Sequence, residues 1–429
     1  MDDRKPLLLI SDAPTSGTGL GRICRDLAVR IHENLSDVYR VGVLGWSGSG
    51  SRHFGFAQYH VEGMNQWVLP TLPDVWEDFA GKEHGIILGV WDASRFFWFS
   101  QPARSEHLNS YPLLRKWLNN APFKRWLYCP LDASGPNDRL TFPIMQTLLG
   151  FDRILAYGPF GESVIRKTIG EEESSKRNLT NLPHGIDGTV FCERDRVLSR
   201  KLFLQITGAQ SLTGNTLPVA EDELLLGIIS TNQARKDFGL VLEACSILSR
   251  DRKIRLWIHT DVLERCWSIP SLLIDYGLID RTIISLNRLP DENLSYALSA
   301  CDLTIGPGAE GFGLPLLESQ YCGTPVVTGS YAGGADIVPK EWQVDPDAFR
   351  YEGEYACKRP VYTAWRWAST VNSLIGKRCD RPDEYDWNNL WPRWKKWLLD
   401  GIEEKKIVSQ TGSPILSQRT SANLQYEYN

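Results

Sequence analysis

Short apolar runs recur along the first half of the chain, at 7–11, 41–44, 85–91, 126–129 and 154–157. Such runs, closed by glycine or polar residues, predict buried strands. The first is followed by a glycine-rich turn, Gly17-Thr-Gly19-Leu-Gly21, and then by an amphipathic stretch over 22–33 with the spacing of a helix. Strands alternating with helical stretches or polar loops predict a parallel βαβ sheet. Leu182-Pro-His-Gly-Ile-Asp187 reads as the end of that unit. Residues 201–221, after the charged run 193–196, carry Gly208, Gly214 and Pro218 and predict a connection. A second alternation follows, with strands expected at 224–230, 254–259, 282–286, 303–306 and 325–328 and helices at 239–248, 291–300 and 315–321. Beyond Tyr351 the pattern turns helical, at 362–375 and 391–402, and 403–429 is polar and aperiodic, which predicts a loose tail. The expected fold class is α/β, two Rossmann-like domains facing across a cleft: 1–200 and 222–375, with a helical segment 376–402 packing back toward the first domain.

Composition narrows the function classes. A chain of 429 residues with 42% hydrophobic and 23% charged residues is an ordinary globular protein with room for two cores. A net charge of -5 argues against a protein built to grip nucleic acid. The nine cysteines show no CxxC or CxxC…HxxxH spacing, so neither a zinc site nor a disulfide framework is indicated. No run approaches the ~20 apolar residues of a membrane span. The expected location is cytoplasmic. The 16 tryptophans are expected chiefly in the core.

The densest chemistry lies in Gly308-Ala-Glu310-Gly-Phe-Gly313-Leu-Pro315-Leu-Leu-Glu318, followed by Cys322-Gly-Thr-Pro-Val-Val327. It predicts a strand end, a glycine-containing loop and a helix opened by Pro315. Gly311 and Gly313 permit close approach of the backbone, with Phe312 and Leu314 beside them. The helix start offers free N–H groups and a positive dipole end, which suit a phosphate. Glu310 in the loop and Glu318 about one turn into the helix could hold hydroxyls on two sugars of one extended ligand.

This segment closely resembles the E-x7-E signature of the retaining group 1 (family 4) glycosyltransferases, which have the GT-B fold. The resemblance implies that Glu310 contacts the transferred sugar and Glu318 the nucleotide ribose. Asp336 in Gly333-Gly-Ala-Asp336 stands where that family usually carries Glu. Lys236 matches the lysine that neutralises the donor diphosphate; Thr231 replaces the usual arginine, and Arg235 is the candidate second cation. Gly17 and Gly19 fall where the family closes a glycine-rich loop over the donor phosphates. That loop is not a dinucleotide fingerprint, because Arg22 stands in place of the third glycine. His184-Gly-Ile-Asp187 with Phe191 is similar to the segment that closes the family's first domain, and places His184 as an acceptor-side candidate with Asp92 and Asp132 at predicted strand ends.

The expected function is retaining transfer of a sugar from a UDP, GDP or ADP donor to a hydroxyl of a glycan, a lipid-linked saccharide or a small molecule, without a metal or other cofactor. Asp345-Pro-Asp347 has the spelling of a metal-binding D-x-D but lies beyond the donor helix, and is read as chance. Arg115-Lys-Trp117 and Lys124-Arg-Trp126 form a basic-aromatic patch for which peripheral contact with an anionic membrane face is one reading and a half-buried helix face the other. An epimerase or phosphorylase on the same fold, and a non-catalytic sugar-nucleotide binding protein, are the competing readings.

Overall fold

The computed structural model describes residues 3–48, 53–61, 71–215, 217–286, 288–306 and 308–408. It divides into a main body, Met1–Leu390, and a second unit, Trp391–Asn429.

The main body is built on two all-parallel sheets. The first has seven strands in the order β3-β2-β1-β4-β5-β6-β7: β1 Lys5–Asp12, β2 Tyr39–Trp46, β3 Ala57–Val61, β4 Gly85–Gly89, β5 Phe123–Cys129, β6 Arg153–Ala156 and β7 Thr180–Asn181. The second has six in the order β10-β9-β8-β11-β12-β13: β8 Leu224–Ile229, β9 Ile254–His259, β10 Thr282–Ser285, β11 Leu303–Gly306, β12 Val326–Gly329 and β13 Gln343–Val344. Central strands are buried on both faces, as Leu7–Ile10 and Leu303–Ile305 show, so they read as continuous apolar runs. In each sheet the chain reverses direction of growth once, between β1 and β4 and between β8 and β11. Open α/β sheets bind ligands at such switch points, outside the carboxyl ends of the strands.

Tryptophan fills the core: Trp76, Trp91, Trp126, Trp257 and Trp367 are fully buried. The same packing takes in part of the basic-aromatic patch. Trp126 lies in β5 under the Arg153 guanidinium, 4.9 Å from the ring. Arg125 donates to the carbonyls of Phe99 and Leu118, and Trp117 packs on Phe123. The segment is an interior strand and a helix whose Trp126 and Leu118 face the core, with Lys116 left exposed.

Three sequence expectations are corrected. Residues 201–207 are not connection: they finish the helix Arg196–Thr207, capped by Asp195 and closed by Gly208 in the left-handed region. Its Arg196 and Arg200 both pair with Asp302 at the foot of β11, which fastens the helix to the second sheet. An antiparallel hairpin, β14 Ala348–Glu352 and β15 Cys357–Val361, follows β13 where no strand is predicted. The helix Trp387–Val408 continues into the stretch read as tail, and 409–429 lie outside the described residues. In the second unit that helix carries Pro392 near its start, with the Trp394 and Trp397 rings edge to face at 6.1 Å. Of the segment read as packing back, residues up to Leu390 belong to the main body: Trp387 stacks edge-on against His184, and Ile186 pairs with Asp386.

Candidate active site

Two loops bring charge to the switch point of the second sheet. After β8 the backbone is pinned by Asn232, fully buried, whose side chain both donates to the Trp267 carbonyl (2.8 Å) and accepts from its N–H (3.0 Å). One 3-10 turn, Ala234–Lys236, then carries the chain to Asp237, which sits in the left-handed region at φ 41° and caps the next helix. That turn leaves Arg235 and Lys236 at the carboxyl end of β8. After β11, Gly308 lies against it: at φ 74° a Cβ here would stand 1.8 Å from the Arg235 carbonyl oxygen. The chain then passes Glu310, whose carbonyl accepts from Gly333 N (2.8 Å), and enters the helix Leu314–Tyr321 through Gly313 at φ 101°.

The geometry joins the three predicted catalytic groups. Lys236 Nζ donates to Glu310 Oε1. Arg235 donates to the Ala309 carbonyl, reaches Glu310 Oε2 at 3.5 Å and holds Asp132 Oδ2 at 3.1 Å. Burial pushes the Lys236 ammonium down to about 8, with Glu310 opposing the fall. Burial would raise the Glu310 carboxyl, but Lys236 and then Arg235 carry it below its ordinary value. The site therefore holds an ionised carboxylate clamped between two cations.

The first sheet presents its own switch point to this cluster. Thr18 caps the helix Gly19–Asn34, accepting from Gly21 N (3.0 Å) and donating to Asp12 Oδ2 (2.5 Å), while Trp91 Nε1 donates to Asp12 Oδ1 (2.8 Å). The loop ahead of the helix is thereby fixed with Gly17 beside the Arg288 side chain and Gly19 facing open space. The crowded glycine is Gly21, where a Cβ would meet Ser16 Oγ at 2.0 Å. Asp132, after β5, is shared between Arg235 and Arg359, at 3.1 and 3.3 Å. Asp92, after β4, is reached by solvent, with a side chain 51% exposed, yet burial and then Asp132 raise its carboxyl. A crowded but wet position of this kind lines a crevice.

Residues 215–343 match the family model described as glycosyl transferases group 1. This stretch is similar to the domain that defines that family. An O-antigen chain mannosyltransferase B from Escherichia coli is 26% identical over 206 residues, 46% of this chain and 52% of that one. A D-inositol 3-phosphate glycosyltransferase from Geodermatophilus obscurus is 29% identical over 238 residues, 49% of each. The chain thus spans about half the length of these curated relatives. Among solved structures, HepE of Anabaena, in complex with UDP and glucose, superposes with TM-score 0.61 at 13% identity, over 87% of this chain and 90% of that one. Sucrose-phosphate synthase from Thermosynechococcus elongatus does so with TM-score 0.61 at 12% identity, over 95% and 100%. The fold is the two-domain GT-B architecture.

Within this glycosyltransferase fold several predicted residues sit differently from the expectation. His184 does not line the acceptor side: its ring is fully buried, Nε2 lies 3.4 Å from Asp26, and Phe312 and Trp387 cover it edge-on. Burial lowers its pKa, so it stands as a neutral structural imidazole. The Phe312 ring is enclosed by Tyr157, His184 and Tyr385, and Gly311 approaches Pro130 of the first domain, a Cβ here lying 2.9 Å away. Leu314 is buried as well, so what 311–314 offer a ligand is backbone N–H. Asp336 accepts from Phe160 N at 3.0 Å and ties the second domain to the first. Asp345 accepts from Ser330 Oγ (2.7 Å), and Asp347 accepts from Thr363 N (2.8 Å) and pairs with Arg366 (2.7 Å). Among the described residues no group of His, Cys, Asp or Glu is placed to hold a metal ion, and no helix is long and apolar enough to cross a membrane.

Sequence reasoning missed two participants. Arg22 ion-pairs with Glu318, and its signal was present as a cation in place of the loop's third glycine. Arg359 reaches Asp132 from a hairpin beyond the family match, and nothing in the sequence marks it.

Proposed function

We propose that the protein is a retaining, metal-independent glycosyltransferase that moves a sugar from a nucleoside diphosphate to a hydroxyl acceptor. The observation that carries this reading is the Lys236–Glu310–Arg235 cluster at the carboxyl ends of β8 and β11, facing the glycine loop of the first sheet. HepE, solved with UDP and glucose on a similar fold, supports a nucleotide ligand for such a cleft.

The donor diphosphate lies between the start of the helix Leu314–Tyr321, the loop at Gly17 and Gly19, and the cations of Lys236 and Arg235. As the bond from the anomeric carbon to the phosphate oxygen breaks, negative charge grows on the leaving diphosphate. Fixed cations and N–H groups stabilise that charge without reorganising, each worth roughly 3–4 kcal/mol by analogy with oxyanion-hole donors. Glu310 holds hydroxyls of the transferred sugar and Glu318 those of the ribose. The acceptor oxygen attacks from the face the diphosphate leaves, and its proton passes to the departing phosphate oxygen, so the anomeric configuration is kept. Asp92 and Asp132, at the ends of β4 and β5, orient the acceptor hydroxyl.

The test is a thermal-shift screen with UDP-, GDP-, ADP- and dTDP-sugars, because a ligand at 100 times its Kd adds about 2.7 kcal/mol of stability. The stabilising donor is then turned over in the presence of a chelator, and the anomeric configuration of the product is read by NMR. Inversion, or a strict need for a divalent ion, refutes the mechanism; stabilisation by none of the donors refutes the function.

A further inference from the structure

Arg22 lies in the first turn of the helix Gly19–Asn34, and Glu318 in the helix that follows the Glu310 loop, 296 positions away. Their side chains meet across the crevice, Arg22 Nη1 donating to Glu318 Oε1. Glu318 is 2% exposed, and among the described residues Arg22 is the only hydrogen-bond partner of its carboxylate. Arg22 is itself held in place, with its guanidinium 4.9 Å from the Phe191 ring centroid and 3.9 Å from both Asp26 and Asp291. Against burial, Glu318, Asp291 and Asp26 keep it above its ordinary pKa. Burial raises the Glu318 carboxyl, and Arg22 is the group that counters the rise. A buried carboxylate stripped of its partner gives up its charge. The partner here belongs to the other sheet, so it is in place only while the two domains face each other as in this structure.

We propose that Arg22 is a positioning residue for the donor, anchoring one oxygen of Glu318 from across the crevice and leaving the other to accept from the ribose hydroxyls. The inference rests on the donor reading above. Recognition of the ribose is thereby made conditional on domain closure, because the carboxylate that reads it is completed by the opposite domain. A charged acceptor makes bonds about twice as strong as a neutral one. With Arg22 gone, Glu318 takes up a proton and turns one acceptor oxygen into a donor.

The experiment is calorimetric titration of UDP, GDP and ADP, each with its 2′,3′-dideoxy counterpart, into the full chain from pH 6 to 9. Wild type is expected to prefer the ribose form of its nucleotide by about tenfold or more, the size of one or two charge-assisted hydrogen bonds. Arg22→Ala and Arg22→Gln lose most of that preference at pH 7 and recover it as the pH rises and Glu318 ionises. Arg22→Lys keeps a large part of it. Glu318→Gln loses the preference at every pH, and adding Arg22→Ala costs no more of it. A merely structural Arg22 would lower Tm without changing ribose preference or giving it a pH dependence. Full ribose preference in Arg22→Gln at pH 6 and 7 overturns this inference alone. A wild type that binds none of the nucleotides overturns the donor reading, and this inference with it.

Discussion

The Lys236–Glu310 pair allows function and stability to be separated. Replacing Lys236 by Met removes the ammonium from Glu310 and leaves the carboxylate buried, with Arg235 at 3.5 Å as its remaining cation. Removing one partner of a buried ion pair costs about 3–5 kcal/mol. Arg235 should hold the cost near the lower end. For a cooperative body the size of Met1–Leu390, an unfolding entropy of about 2.1 cal/mol/K per residue turns ~3 kcal/mol into a Tm fall of roughly 4 °C. The double variant Lys236→Met/Glu310→Met is the informative one. Exchanging a whole buried pair for apolar side chains of similar volume is often neutral or stabilising by about 1–4 kcal/mol. Arg235 keeps Asp132 and the Ala309 carbonyl, so no charge is stranded. The double variant is therefore expected at or above the wild-type Tm, while both variants lose roughly 10²–10³-fold in turnover of the nucleotide sugar. Differential scanning fluorimetry and a product assay check this. A double variant whose Tm falls as far as that of Lys236→Met, or one whose turnover stays within about tenfold of wild type, refutes the reasoning.

Two further outcomes follow from the same cluster. Because burial brings the Lys236 ammonium to about 8, it is charged below that pH and must take up a proton to hold a diphosphate above it. Nucleotide Kd is expected to be flat from pH 7 to 8 and to weaken toward tenfold per unit beyond, with Lys236→Arg abolishing the break; a Kd unchanged to pH 9.5 in wild type contradicts this. Gly308→Ala puts a methyl group 1.8 Å from the Arg235 carbonyl at a left-handed φ of 74°. It should cost at least about 1–2 kcal/mol of stability and weaken nucleotide binding by displacing Arg235, and an unchanged Tm and Kd would show that the loop is softer than its geometry implies.

Much of the fold was legible because fully buried parallel strands advertise themselves as continuous apolar runs: 254–259 and 303–306 are seen in the sequence with the bounds they have in the structure. The edge strands β3 and β7 were not, since Ala57–Val61 is half exposed and Thr180–Asn181 is only two residues long. The hairpin escaped for a similar reason, as β14 mixes aromatic and charged residues and is mostly solvent-facing. In the site, Glu310 could be named from its glycine-containing loop, and Lys236 and Arg235 from the resemblance to the group 1 enzymes, because strand ends at a switch point converge. Partnerships could not. That Glu318 meets Arg22, or that His184 is sealed behind Phe312 and Trp387, depends on how two domains meet, and no local period encodes that.

The hairpin has a mechanical consequence. Lys358 N donates to the Ser134 carbonyl at 2.7 Å, its ammonium reaches Asp138 at 2.9 Å, and Tyr331 Oη both accepts from Ser134 N and donates to the Lys358 carbonyl. These main-chain stitches lie on the β5–β6 side of the first sheet. On the β1 side the domains are joined, among the described residues, by side chains: Arg22 to Glu318, Arg22 and Arg25 to Asp291, and Arg288 to the Thr15 carbonyl. A gape that spares the stitches swings like a book on its spine, with the hairpin as binding and the Arg288 edge as the opening pages. On such an opening Arg22 and Glu318 part first, while the contacts of the hairpin stay closed.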